Sequence, residues 1–240
     1  MKNKIEQPPI LITGCARSGT SMVAGAIHLC GAFGGSMSGK NSYNRKGMFE
    51  NYKIRQNVVK PFLRNISVDP LGQYPLPKVD TLKIPTYWRG RIEDVMLEQG
   101  YTGGHWFYKC AKATSIWPVF HYAFPNAKWV VVRRKTEDII NSCTKTAFMK
   151  AFHKEHVRRA VGAKDEHDGW LWWVNQHEAR WVEMIEAGLN VQMVWPERMV
   201  LGDYSQLFSI VEWLGLKWNS EVLEFVDQKL WHSRKALNGW

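Results

Sequence analysis

The sequence predicts an α/β domain of three layers, a central parallel sheet of about four or five strands with helices on both faces. Three observations predict it. Short runs rich in Val, Ile and aromatic residues alternate with longer stretches of helical apolar period, the pattern of a parallel sheet with crossover helices. The stretch 10–31, ILITGCARSGTSMVAGAIHLCG, passes from a β-branched run through a glycine turn into an apolar helix. The chain has 240 residues and 45% apolar composition, which suits one core. The domain is read as 1–240, with 31–105 as an insertion too irregular for a simple crossover and placed to supply substrate-binding walls.

The elements follow in order. Strands are expected at 10–14, 106–110, 128–133 and 190–195, each short and bounded by turn residues. Helices are expected at about 19–30, 52–64, 89–99, 114–122, 136–147, 169–187, 203–214 and 220–230. Gly100, Gly188 and Gly215 stand where a helix C′ residue stands. Asp203 with Gln206 has the spacing of a capping box. Trp170, Trp172, Trp173 and Trp181 fall at helical spacing and read as core, as does His28 in its apolar helix. The run 153–159, HKEHVRR, reads as an exposed helix face, and the polar, glycine-flanked run 162–169 as a mobile lid.

Composition bounds the function. The net charge of +10 implies an anionic partner. The basic residues are scattered rather than gathered in one arm, which leans away from nucleic acid and toward an anionic ligand in a cleft. Cys15, Cys30, Cys110 and Cys143 have no CxxC or Cys/His metal spacing, so free thiols and no metal are expected. No segment is apolar for long enough to span a membrane, and MKNKIEQPPI has no apolar signal core, so a cytoplasmic chain is expected.

The chemistry starts at Gly14-Cys15-Ala16-Arg17-Ser18-Gly19-Thr20-Ser21, which has the GxxxxG spacing of a phosphate-binding loop. Thr20 stands where a nucleotide hydrolase or kinase has the Lys that neutralises terminal phosphates. The loop can still wrap phosphate oxygens with N–H groups at a helix N-terminus, with Arg17 as its cation. A second stretch, 129–142 (WVVVRRKTEDIINS), is a buried strand ending in paired arginines before a helix with acids in its first turn.

RSGTS after a strand resembles the 5′-phosphosulfate loop of the sulfotransferases that use PAPS, 3′-phosphoadenosine 5′-phosphosulfate. Arg134 with Ser142 eight residues later resembles that family's R-(D/N)-P-x-D-x-x-x-S, with Asp138 matching and Thr136 in place of Pro. Trp106-Phe107-Tyr108-Lys109, Phe124–Lys128, and 194–199 followed by Trp213-Leu214-Gly215-Leu216 extend the likeness over about 8–218. The pattern is nearest to bacterial sulfotransferase-like proteins. The resemblance implies a P-loop-like fold, PAPS as donor with PAP, the 3′,5′-bisphosphate, as product, and an acceptor hydroxyl or amine. It implies that Arg17, Ser18, Gly19, Thr20 and Ser21 hold the 5′-phosphosulfate, that Arg134 and Ser142 hold the 3′-phosphate, and that Lys109 and Arg17 serve the transferring sulfuryl group. Ser233-Arg234-Lys235-Ala236 resembles the R-K-G stretch that closes over the 3′-phosphate, with Ala in place of Gly.

The base is approached through the same likeness. Many cytosolic members use a His two residues after the strand-end Lys, and here that position is Ala111. Asn44–Glu50, NRKGMFE, resembles the N-x-K-G-x-F-E stretch of bacterial members. Glu50 is the candidate base, with a pKa expected to rise by partial burial beside Phe49. Glu50 as a partner of the helix at Tyr52, and His105 as base, remain alternatives. Arg45 and Lys46 are candidates to face the donor, the acceptor or solvent. Two other function classes stay open: a P-loop kinase of a small metabolite, and a non-catalytic binder of nucleic acid or polyanion.

Overall fold

The computed structural model describes residues 5–231. Four strands form one parallel sheet in the order β2-β1-β3-β4. They are β1 (Ile10–Gly14), β2 (Phe107–Lys109), β3 (Lys128–Val132) and β4 (Asn190–Val194). Ile10 sits beside Phe107 on one side and Lys128 on the other, and Lys128 pairs in turn with Asn190. The central strands are buried on both faces, so they read as nearly unbroken apolar runs.

Alternation within each strand divides the core in two. Leu11, Tyr108, Trp129 and Val131 join one cluster. Ile10, Ile12, Phe107, Val130 and Val132 join the other. The helices in order are α1 (Thr20–Leu29), α2 (Tyr52–Ile54), α3 (Lys60–Asn65), α4 (Trp88–Glu98), α5 (Trp117–Ala123), α6 (Thr136–Thr144), α7 (Glu155–Ala160), α8 (Glu166–Glu186), α9 (Pro196–Val200), α10 (Ser205–Leu214) and α11 (Glu221–Phe225). Helices α1, α9 and α10 cover the second cluster. Helices α4, α5, α6 and α8 cover the first, where Trp88, Trp170, Trp173 and Trp181 are fully or almost fully buried. The described residues thus form the three expected layers, and no helix among them is long and apolar enough to cross a membrane.

Gly100, Gly188 and Gly215 have positive φ of 92°, 75° and 79° just past their helices, as expected of C′ residues. Other readings need correction. Asp203 and Gln206 form no capping box. Asp203 accepts from the Ser205 N–H and hydroxyl, while Gln206 reaches the edge strand: its amide accepts from Trp195 N–H at 2.9 Å and donates to Met193 O at 3.1 Å. His28 is exposed rather than core, because it falls on the outer face of α1 and bonds the Ala32 carbonyl oxygen. The second half of 162–169 is not a loop but the start of α8, capped by Asp165 accepting from Asp168 N–H. Within the insertion, 41–50 with Arg55 and Lys60 line the cleft at the sheet's C-terminal end, whereas α4 buries Trp88, Ile92, Val95 and Met96 in the core.

Candidate active site

A cleft of about 560 Å³ opens at the C-terminal ends of β1, β2 and β3, where parallel sheets place their ligands. Its floor is the loop between β1 and α1. Gly14 makes the sharp exit from β1 with φ +149°; a Cβ there would lie 2.3 Å from the Val132 carbonyl oxygen. Gly19 is the N-cap of α1 in left-handed conformation, φ +96°. Met22 and Val23 already bond back to the Gly19 carbonyl, and among the described residues no acceptor takes the N–H groups of Gly19, Thr20 or Ser21. These three residues, at the positive end of a ten-residue helix, line the cleft.

The predicted residues divide between two groups. Arg17 adopts φ 73° and turns its guanidinium to α6, donating from Nε to Ser142 Oγ at 3.0 Å. Arg134, at the end of β3, donates from Nη1 to the Arg17 carbonyl oxygen at 3.0 Å and lies under the Trp231 ring at 4.1 Å. Arg17 thus meets Arg134 and Ser142, both distant from it in sequence, in one cationic group. Glu197 at the start of α9 stands 4.0 Å from Arg134 Nε and accepts the Lys135 N–H at 3.1 Å. Burial pushes the Glu197 carboxyl up. Ser18 is not brought to the cleft: its side chain is fully buried behind Gly14, and its Oγ has no hydrogen-bond partner among the described residues.

The second group surrounds Glu50. Its carboxylate is buried, with Lys112 Nζ and Arg55 Nη1 both at 3.5 Å and Lys109 Nζ at 3.9 Å. Burial alone would raise its pKa, but Lys112, Lys109 and Arg55 together outweigh burial and hold it below the ordinary carboxylate value. This corrects the expectation of a raised pKa, which counted Phe49 and not the cations. Burial pulls Lys109 down against the pull of Glu50, whereas at Lys112 the Glu50 charge prevails over burial and raises the pKa. Arg17 turns away from this group toward Ser142, so its side chain does not join Lys109 as the likeness implied.

Several candidates lie elsewhere. His105 precedes β2 at the opposite end of the sheet, with its ring against Gln7 and Gly215, and does not line the cleft. Lys46 is engaged by the carbonyl oxygens of Phe225, at 2.6 Å, and Glu224. Arg45 is exposed at the mouth. The Ser233–Ala236 stretch lies outside the described residues. Sequence reading missed Arg55, Lys60, Lys112, Glu197 and Trp231. Pro61 was the available signal for the first two, since a proline inside a helical pattern distorts the ladder before it.

The donor set fits a ligand bearing several phosphate-like groups: free backbone donors at a helix start, a paired-arginine site with a hydroxyl, and buried ammonium groups at a third point. Sheet, loop and flanking helices together define a three-layer parallel α/β fold. Three solved structures share it. A sulfotransferase of Mycobacterium avium matches 95% of this chain and 69% of its own, with 12% identity and a TM-score of 0.55. The sulfotransferase domain of the Synechococcus PCC 7002 olefin synthase matches 100% and 91%, at 11% and 0.53. The sulfotransferase domain of the curacin biosynthetic pathway matches 92% and 78%, at 14% and 0.51. The chain has the sulfotransferase fold. No family model and no curated protein matches its sequence.

Proposed function

We propose that the protein is a sulfotransferase that moves a sulfuryl group from PAPS to a hydroxyl or amine. The observation that carries this reading is the convergence in one cleft of the open α1 N-terminus, the Arg17–Arg134–Ser142 group and the Glu50 cluster. PAPS supplies a sulfuryl group joined to a phosphate through a weak anhydride bond. The N–H groups of Gly19, Thr20 and Ser21 take the 5′-phosphate oxygens. Arg134, Arg17 and Ser142 take the 3′-phosphate, with Trp231 and Glu197 fixing the Arg134 plane. Lys109 meets the sulfuryl oxygens and the charge that develops on the leaving phosphate.

As the acceptor oxygen bonds to sulfur, the bond from sulfur to the bridging phosphate oxygen breaks and its electron pair stays on the phosphate. The acceptor proton passes to Glu50. The depressed pKa keeps that carboxylate ionised across neutral pH. When the donor's oxyanions engage Lys109, they weaken its hold on Glu50, so the carboxylate becomes more basic once the donor is bound.

The kinase reading is less well supported. Thr20 replaces the loop Lys, and the Ser21 hydroxyl, which would hold magnesium, donates to the Met48 carbonyl oxygen at 3.2 Å. Among the described residues the only group placed to share a metal ion is Asp165, His167 and Asp168, outside the cleft. The polyanion-binder reading needs an exposed basic face, whereas Lys109 and Arg134 are buried. Calorimetry with 3′-phosphoadenosine 5′-phosphate against adenosine 5′-phosphate tests the donor reading, followed by transfer from labelled PAPS. Equal affinity for the two nucleotides would overturn it.

A further inference from the structure

Helix α2 does not run smoothly into α3. Residues Arg55–Val59 form a π-helical turn, closed by the Lys60 N–H bonding to the Arg55 carbonyl oxygen. In an α-helix, a residue five positions on is turned about 140° away. The wider turn brings Lys60 back to the side of Arg55, and both line the cleft. Such a turn costs regular hydrogen bonding, and here its effect is to set two cations side by side.

The cations of this wall outnumber its carboxylates. Arg55, Lys60, Lys109 and Lys112 face the cleft around Glu50. Glu50 pairs with three of them. The Lys60 ammonium has no hydrogen bond or ion pair with a described residue. Half-buried, it is pressed by Arg55, Lys112 and Arg64, and burial with these like charges lowers its pKa. The donor's phosphates already have the α1 N-terminus, Arg17 and Arg134, and Lys109 faces the sulfuryl group. Arg55 and Lys60 stand on the insertion, beyond the loop. Tyr43, Leu71 and Phe148 line the cleft with partly exposed apolar surface.

We propose that the acceptor is itself an anion: its reacting hydroxyl is accompanied by a carboxylate, sulfate or phosphate held by Lys60 together with Arg55. The inference rests on the sulfotransferase reading for the word acceptor, but the binding it predicts is measured separately.

The test is calorimetry on the full chain, with and without saturating 3′-phosphoadenosine 5′-phosphate. Two matched pairs serve as probes: 4-hydroxyphenylacetate with its uncharged amide, and methyl glucuronide with methyl glucoside. In at least one pair the anion binds about tenfold or more tighter than its uncharged partner, the gain of one charge-assisted contact. Lys60→Gln removes that preference and Lys60→Arg keeps it. Equal binding within both pairs, no binding of any probe, or a preference that survives Lys60→Gln overturns the inference. The nucleotide titration decides the donor reading independently. A chain that prefers the anionic probe and ignores the nucleotide keeps an anion site and loses the sulfotransferase reading.

Discussion

Glu50→Gln removes one negative charge from a wall that holds three cations around it. At 3.5 Å and an effective dielectric of about 20, each pair has a gross attraction of about 5 kcal/mol, and the 3.9 Å pair about 4 kcal/mol. Desolvation of the carboxylate cancels several kcal/mol of that sum, so the net is far smaller. Removing one partner of a buried pair costs about 3–5 kcal/mol, because the other is left uncompensated. Urea unfolding should show a loss of that order. Separately, loss of a base slows chemistry by about 10²–10⁴-fold. The variant alone mixes the two effects, since uncompensated Lys109 and Lys112 will shift. Glu50→Gln with Lys112→Met restores the charge balance around the site without restoring a proton acceptor. That double variant should recover most of the stability and none of the rate, measured by single-turnover transfer from labelled PAPS. If the rate returns with the stability, Glu50 is only a counter-ion. If Glu50→Gln unfolds with wild type and transfers at the wild-type rate, both the ion-pair argument and the base assignment fail.

Other outcomes follow from the same geometry. Arg134→Ala should reduce the preference for the 3′-phosphorylated nucleotide by about 10–150-fold, from a charge-assisted bond of about 1.5–3 kcal/mol; calorimetry with the two nucleotides reads it, and a retained preference places the 3′-phosphate elsewhere. Because the Glu50 pKa is lowered in the folded state, its contribution to stability is complete above the ordinary carboxylate value of about 4.3 and is lost as pH falls through the depressed value. The wild-type minus Glu50→Gln difference in unfolding free energy should hold steady from neutral pH to about pH 5 and shrink only below that value; shrinkage already near pH 6 would mean a raised pKa. Gly14→Ala puts a methyl 2.3 Å from the Val132 carbonyl oxygen at φ +149°, so β1 must shift against β3. A loss of about 1–3 kcal/mol in urea unfolding is expected, and an unchanged midpoint would contradict the contact.

Much of this was legible in the sequence because it depends on local pattern. The strands at 10–14, 128–132 and 190–194 announce themselves as β-branched runs, and the Gly14–Ser21 spacing allows little but a turn into a helix. Arg134 and Ser142 are one strand end and one helix apart, so their approach is local too. What was not legible comes from distant segments. The sign of the Glu50 shift is set by Lys109 at the end of β2, by Lys112 beyond it and by Arg55 at the start of a π turn. His105, the alternative base, precedes the strand already expected at 106–110, and the common direction of the strands puts it at the end away from the cleft. The capping-box reading of Asp203 failed because Gln206 finds better partners on a strand that closes against it in space.

That Gln206 side chain has a consequence for the protein as a whole. Strand β4 ends the sheet, and a bare sheet margin is a template on which a foreign strand can grow. An amide group carries one donor and one acceptor, the same pair a neighbouring strand would present. By satisfying Met193 O and Trp195 N–H together, one glutamine impersonates the next strand for a single repeat of the ladder. The sheet is terminated chemically there, without a proline or a charge, and a residue that does no catalysis guards that stretch of the margin against unwanted neighbours.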